Sequence, residues 1–347
     1  MNWIESQIRA VSVKRLFAAA VVLAIVVMAL LSQARYITNF FKGAYGISRE
    51  ELNAAPNADS LERYWVTMNA DAIHETGFQE ITVRKKRGVE RGRSVSASYY
   101  VAEMGKRLLL VKAHGDVPTK SLKGTLKPIV GKVDLSFFND PDIAKIRPAF
   151  YPMLLDTEDF TSDGELGFAI AGIAALIALG IGVMAWMRFS DPKSHPAAKL
   201  AASWGKGNLS TVATQVESQL KAPDAIKVGN HVLTQDYLVM RSLFSFNLWR
   251  TDDVVWIFKQ ITQKKMYYVI PTGKTFAASI NFAKETVMIN GKEDKVDAVL
   301  MQLATNKPWV IVGHSDEIAT SYKKKRAEVV AWVAKKKSEL RGTGMIS

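Results

Sequence analysis

Two uncharged apolar runs constrain this chain more than anything else in it. Residues 16–34 form a run of 19, LFAAAVVLAIVVMALLSQA, and residues 166–187 a run of 22, LGFAIAGIAALIALGIGVMAWM. A helix needs roughly 20 predominantly apolar residues to cross the hydrocarbon core of a bilayer, so both runs are expected to be transmembrane helices. The next most apolar stretch, 108–111, is far too short. A buried core helix is the bland alternative, but a helix satisfies its own backbone, and neither run has a charge that needs a partner. For the first run the rival is a cleavable signal peptide. Lys14 and Arg15 precede it, and Ser32-Gln33-Ala34 closes it with small-x-small spacing. Under either reading residues 35–165 are exported.

The runs divide the chain into a cytoplasmic segment 1–15, a first span 16–34, an extracytoplasmic domain 35–165, a second span 166–187 and a cytoplasmic domain 188–347. Charge sets the orientation. Arg9, Lys14 and Arg15 flank the first run on its N-terminal side, and Arg188, Lys193 and Lys199 follow the second. Asp156, Glu158, Asp159, Asp163 and Glu165 precede the second. Positive flanks stay inside, so both termini are expected in the cytoplasm of a cytoplasmic (inner) membrane protein. The split agrees. Residues 35–165 carry 19 basic and 18 acidic side chains, whereas 188–347 carry 24 and 14. Most of the chain's net charge of +13 therefore faces the anionic inner leaflet. The 347 residues contain no cysteine, which excludes a disulfide scaffold and a Cys-ligated zinc site.

Residues 35–165 read as β-rich. Ser48-Arg49-Glu50-Glu51 has the pattern of a helix N-terminus. Period-two segments then follow at 64–67, 80–83, 96–101 and 107–111, with a tight hairpin at Met104-Gly105-Lys106 and a fifth short strand from Gly124. Five short strands with glycine-rich turns suggest a small barrel or sandwich of the OB-like kind. Such barrels often bind oligonucleotides. The basic run Arg84-Lys85-Lys86-Arg87, with Arg91 and Arg93, has only Tyr99 and Tyr100 as nearby aromatics, and the domain is almost neutral. Nucleic acid is therefore not the expected partner; a solvated hairpin tip is preferred, with polyanion or headgroup contact as the alternative. The acidic run 156–165 lacks the order and the glycine of a calcium loop.

In residues 188–347, helical patterns at 197–220 break at Trp204-Gly205-Lys206-Gly207. Strand signals follow at 230–234, 237–240, 253–258, 266–270, 275–280 and 286–289, with turn chemistry at 262–265 and 271–274. Val296, Val299, Leu300 and Leu303 mark a helix, 309–312 a last strand, and Ser315 or Asp316 caps a terminal helix running to about Leu340. His231-Val-Leu-Thr-Gln-Asp-Tyr-Leu-Val239 followed by Asp252-Asp-Val-Val-Trp-Ile-Phe258 resembles bacterial pleckstrin-homology-like (PH-like) modules. The whole layout resembles uncharacterised two-pass bacterial membrane proteins with an outer β domain and an inner β-plus-helix domain. That resemblance implies packing motifs and no catalytic residue.

Two sets of residues stand out for contacts. On the terminal helix, Lys323, Lys324, Lys325 and Arg326, with Lys335, Lys336 and Lys337, could lie on an anionic leaflet; the alternative is that the apolar stripe Ile318, Tyr322, Val329, Trp332 and Val333 packs on the sheet. On the second run, Gly167, Ala171 and Ala175, and likewise Ala174, Ala178 and Gly182, recur every four residues. Such small-residue ridges let helices approach closely and are candidates for self-association.

Chemical signatures are missing. Gly273-Lys274-Thr275 would need glycine at 268 for a phosphate loop, and that residue is Tyr268. His74-Glu75 does not continue as a zinc-protease helix, the five histidines lie singly, and Asp252-Asp253 reads as a turn. Asn208-Leu-Ser is a glycosylation sequon on the expected cytoplasmic side, hence spurious. Neither run holds an ionisable group, which argues against a pump. The expectation is a non-enzymatic α+β membrane protein without cofactor: two transmembrane helices, an outer OB-like domain and an inner PH-like domain with a C-terminal helix. Its partners would be the lipid bilayer and either copies of itself or another membrane protein. An anionic-lipid-binding module and a channel-forming oligomer are the alternatives.

Overall fold

A computed structural model describes residues 1–86, 88–131, 133, 137–266 and 270–343; for 264–266 and 270–272 only the backbone is considered. The chain divides into two compact units, a central one of residues 21–178 and a terminal one joining 1–20 to 179–347. It is α+β with several sheets, and two of its helices are long and apolar enough to cross a membrane.

The first of these helices, α1 (Trp3–Ser32), starts well before the apolar run. The chain turns at Gln33 into α2 (Ala34–Lys42). Here Asn39, fully buried, donates to the carbonyls of Arg35 and Glu62 at 2.9 Å each and accepts from Tyr64 N at 3.1 Å. One amide thus fixes α2 to the start of the sheet while leaving none of its polar atoms orphaned. After β1 (Tyr45–Gly46) comes α3 (Arg49–Ala54), whose Ser48 and Glu51 form the expected capping box.

The sheet of the central unit continues with β2 (Trp65–Asn69), β3 (Ile73–Lys86), β4 (Val89–Met104), β5 (Arg107–Ala113) and β6 (Ser121–Pro128). Then α4 (Pro141–Ile146) leads into β7 (Phe150–Asp156), a strand the sequence pattern did not announce. The order is β1-β2-β6-β7-β5-β4-β3, with β5 and β7 parallel. Four residue steps separate Asn69 from Ile73, a reach of about 14 Å. In a flat sheet β2 and β3 would stand five spacings apart, about 24 Å. The sheet must therefore curl until its ends meet, and backbone bonds from Ala70 N to Lys120 O and from Asp71 N to Glu103 O mark the seam.

Alternation fills the inside of the curl. Val66, Met68, Tyr100, Ala102, Leu109, Val111, Leu122, Tyr151, Met153 and Leu155 form one buried cluster, while Leu110 and Leu154 point the other way beneath Phe137, Phe138 and Phe150. Being buried on both faces, β5 and β7 read as apolar runs instead of alternating ones. Gly124 sits where β6 crosses β7: a Cβ there would lie 2.5 Å from the Asp156 carbonyl oxygen. Because the obstacle is backbone, Gly124→Ala is expected to destabilise the unit by about 1–3 kcal/mol, measured as a lowered midpoint of thermal unfolding. An unchanged midpoint would mean that β6 shifts freely.

Beyond the curl, β3 and β4 run on as a two-stranded ribbon whose described residues 79–86 and 88–95 are all exposed. Arg84, Lys85 and Lys86 lie at its end; Arg87 falls outside the described residues. The second long apolar helix, α5 (Phe160–Ser190), is entered through Phe160, which stacks on Trp65 at 4.6 Å.

The terminal unit follows with α6 (Pro196–Trp204) and α7 (Leu209–Leu220), separated by the expected break and with Asn208 capping α7. Next are β8 (Ile226–Val228), β9 (His231–Leu233), β10 (Tyr237–Arg241) and β11 (Phe246–Arg250), an antiparallel meander. A 3-10 turn, Thr251–Asp253, leads to β12 (Val254–Met266), β13 (Ile270–Phe282) and β14 (Thr286–Gly291). After α8 (Glu293–Asn306), β15 (Ile311–Val312) adds in parallel to β12, and α9 (Asp316–Lys324) and α10 (Arg326–Gly342) end the described chain. The expected single terminal helix is thus broken at Lys325; Ser315 is its cap. The expected turns at 262–265 and 271–274 are instead strand, paired through Thr262–Thr275 and Gln263–Lys274 in a second ribbon. Turn-type residues are carried there by the backbone pairing of β12 with β13. The expected strand 266–270 lies largely outside the described residues.

The two four-stranded sheets share one core with α8, α9 and α10. The outer face of the first sheet is covered by a second core. In β10, Leu238 points to the shared core, while Tyr237 and Val239 point to the helices. That second core contains Ile4 and Ile8 of α1 beside Ala198, Ala201, Val212 and Val216. Residues 1–15, expected to be a separate segment, are therefore built into the domain formed by the other end of the chain.

His195 joins α5 to this layer. Its Nδ1 accepts from Ala197 N at 3.1 Å, capping α6. Burial, and the charges of Arg188 and Arg15, push its pKa from 6.5 down to about 4. The unfolded chain takes up a proton near 6.5 that the folded chain refuses until about 4. Stability is therefore full above the ordinary value and declines as pH falls through this window, by roughly 3 kcal/mol. His231, also pushed down by burial, acts in the same direction. The expected readout is thus a difference: His195→Asn, which keeps a capping oxygen, should have a shallower fall in melting temperature between those two pH values than the parent chain. Parallel pH profiles would refute the assignment.

Candidate functional site

Three places gather the polar and small side chains from which a site could be built. The first is the pair of long helices. Ala178 and Ala185 are buried, and a Cβ at Gly182 would stand 3.7 Å from Ala19 Cβ of α1. Gly167, Ala171 and Ala174 line an apolar groove of about 580 Å³ with Ile25, Val26 and Ala29 of α1, and Ala175 is half-buried. At Gly182 the small residues meet the chain's own first helix closely, whereas at Gly167 the groove is open. The opposite faces carry Phe17, Val21, Met28, Ile173, Leu176 and Met184, all exposed.

The second place is the C-terminal pair of helices. Tyr322 and Val333 are buried, and Ile318, Val329 and Val330 pack against the same core. Trp332, expected on that stripe, is 53% exposed instead, with Lys336 Nζ 5.5 Å from its ring centre. The cations differ in their fates. Lys323, Lys324, Lys325 and Lys335 are exposed, although Lys325 pairs with Glu328 and Lys335 approaches Glu339. Arg326 donates to the Lys284 carbonyl and lies over Tyr322. Lys337 is withdrawn from any surface role, because its ammonium bonds Asp252 Oδ2 at 3.1 Å and the Asp252 carbonyl at 2.9 Å.

Asp252 is the centre of this arrangement. Its Oδ1 receives Lys307 Nζ at 2.6 Å, and Arg341 stands 3.6 Å from its Oδ2. Burial raises the Asp252 pKa, but hydrogen bonds and charge from Lys307 and Lys337 outweigh it and hold the carboxyl below its ordinary value. The Asp252-Asp253 pair does lie in a turn, as expected. What sequence reasoning missed is that this turn pins the end of α8 and the side of α10 to the joint between the two sheets. An aspartate in a turn gives no local sign of partners 55 and 85 residues away.

The third place is in the central unit. Asp156, buried at the end of β7, receives Lys127 Nζ at 2.8 Å, and His114 Nε2 stands 3.0 Å from its other oxygen. Lys127 also approaches Glu158 at 3.6 Å, and Lys112 pairs with Glu80 at 2.7 Å. Burial raises the Asp156 pKa, yet the Lys127 hydrogen bond and the Glu158 backbone N–H more than compensate and hold it low. His114, Asp156 and Glu158 offer ligand atoms within 4.8 Å of one another. The position a cation would take beside Asp156 already holds the Lys127 ammonium. Nothing in the spacing of these residues announces it. Parallel pairing of β5 with β7, which sets Lys112 opposite Asp156, brings them together. No protein family model matches the chain, and neither does any curated protein or solved structure.

Proposed function

We propose that the chain is a non-enzymatic two-pass protein of a bacterial cytoplasmic membrane, a scaffold that connects an extracytoplasmic domain to a cytoplasmic one. The observation that carries this reading is the core shared by Ile4 and Ile8 with residues 197–248. Both long helices depart from one folded unit, as a hairpin that crosses a bilayer and returns requires. Their apolar windows are only 6% and 11% buried, so the bland alternative of soluble core helices finds little support. The curled sheet, with its parallel β5–β7 pair, supports an OB-like reading of the outer domain. Two facing four-stranded sheets followed by helices support the PH-like reading of the inner one. A homo-oligomer or a membrane-protein partner would meet the soluble domains, the exposed helix faces or the open end of the small-residue ridge.

The absence of cysteine from the sequence makes the test clean. Single cysteines at Thr119, expected outside, and Lys292, expected inside, are treated in intact cells with a membrane-impermeant maleimide. Labelling of the first at once, and of the second only after lysis, is the expected result. Labelling of both in intact cells, or the reverse pattern, refutes the topology. Measuring the mass of the gently solubilised assembly then tests the scaffold itself: a bare monomer without companions would count against it.

A further inference from the structure

We infer that the terminal unit binds a small amphipathic anion, an alkyl or aryl body bearing a carboxylate or phosphate, in a two-part cleft beside α6. One cavity of about 400 Å³ is lined by Lys206, Thr211, Gln215 and Asp236. Another, of about 410 Å³, is lined largely by apolar groups, among them Leu200, Val255, Phe282 and Val330. They share Trp204, Arg250 and Asp252. Each has the volume of a small-ligand site, and together they set a polar chamber against an apolar one.

The sign of the ligand's charge follows from which groups are already engaged. Asp252 is bound by Lys307 and Lys337, Asp236 accepts from Gln219 Nε2 at 2.7 Å and faces Lys307 at 3.5 Å, Glu285 accepts from Trp249 Nε1 at 2.7 Å, and Asp253 stands at the exposed rim. Arg250 is held more loosely, by ion pairs without hydrogen bonds and by the Trp204 ring 5.9 Å away. It stands 3.8 Å from Asp252 and 3.9 Å from Asp253, too far for hydrogen bonds, and its side chain donates none among the described residues. The guanidinium at the junction thus keeps its fork of donors for a carboxylate or phosphate. Lys206, on the polar side, forms no ion pair among the described residues. It also holds a left-handed backbone conformation, φ 51°, a strain that collects at ligand sites.

A second, independent observation comes from the apolar chamber. Trp309 is 3% exposed, and its indole N–H is buried without an acceptor among the described residues. A buried donor left unpaired is costly. Trp204 and Trp249 complete aromatic walls around an apolar body.

The test uses the full chain in nanodiscs of phosphatidylcholine, titrated with octanoate and octyl phosphate, and with octylamine and octan-1-ol as controls. Tryptophan fluorescence reports occupancy. Saturable binding of the two anions, at least tenfold tighter than either control, is expected. Arg250→Gln should weaken the anions tenfold or more without altering the controls, and Ala334→Trp, which fills the apolar chamber, should abolish binding. Lys206→Gln serves where Arg250→Gln lowers the melting temperature. Equal binding of anion, amine and alcohol, indifference to all three substitutions, or no binding at millimolar octanoate overturns the inference. A repeat in discs containing phosphatidylglycerol separates the sources. Competition by the disc lipid assigns the site to a bilayer anion; unchanged octanoate binding assigns it to a free amphiphile.

Discussion

Replacing Asp252 by alanine is expected to cost the terminal unit about 3–5 kcal/mol, the range for breaking one side of a buried ion pair. Lys307 is the reason. Its side chain is 7% exposed, and its ammonium has Asp252 at 2.6 Å and Asp236 only at 3.5 Å. Without Asp252 a charge remains in a poorly solvated place with a distant partner. Lys337 loses its carboxylate as well, which loosens α10 from the β11–β12 joint. Asp252→Asn should cost nearly as much, because it keeps the shape and removes the charge. The double variant Asp252→Leu with Lys307→Met should recover a large part of the loss. Denaturant unfolding followed by the fluorescence of Trp249 and Trp309 reads all three. The pH dependence has a definite sign. With the folded carboxyl held below its ordinary value, its stabilisation is complete above the carboxylate range and is lost as pH falls through it. A loss under about 1 kcal/mol for the alanine variant would mean that solvent screens the pair.

Ile4→Ala and Ile8→Ala are each expected to destabilise the same unit by about 2–5 kcal/mol, as buried isoleucine truncations do. These residues are 0% and 1% exposed. Trp3 meets Phe246 edge-on at 5.8 Å, and Arg15 donates to the Phe244 carbonyl at 2.6 Å, so a whole helical face is engaged. Because the two isoleucines share one cluster, their double truncation should depart from additivity. The effect bears on the signal-peptide rival for the first run. Cleavage after Ala34 would strip Ile4 and Ile8 from this core and uncover Val212, Val239 and Phe246. The mass of the purified chain should therefore include residues 1–34. Ile8→Ala with an unaltered melting temperature would show that the N-terminal turns contribute nothing to folding.

Much of the secondary structure was legible because its signals are local. Ser48 and Ser315 cap helices where their patterns pointed, since a capping side chain bonds an amide three residues on. Strand seeds at 96–101, 107–111, 237–240 and 286–289 lie within β4, β5, β10 and β14. Length failed where a strand runs on as a two-stranded ribbon. The ribbons of β3–β4 and β12–β13 continue through residues whose composition resembles turns, because pairing across the ribbon sustains them. The candidate sites were harder to read. The lysines of the terminal helix look alike in sequence, yet Lys337 lies against Asp252 while Lys323 and Lys324 face solvent. The small residues of the second run signalled close helix approach, but not which helix approaches.

By itself the sequence determined that two helices are long and apolar enough to cross a membrane, that β-rich segments follow each of them, and where many helices begin. Those properties depend on residues within a turn or two of one another. Only the tertiary structure decided that Ile4 and Ile8 complete a core more than 190 residues further on. It alone set His114 and Lys127 around Asp156, and gave Asp252 its lysines. Each of these contacts depends on which strands pair and in what register. A parallel pairing such as β5 with β7 leaves no local trace, because the residues it joins share neither periodicity nor proximity along the chain.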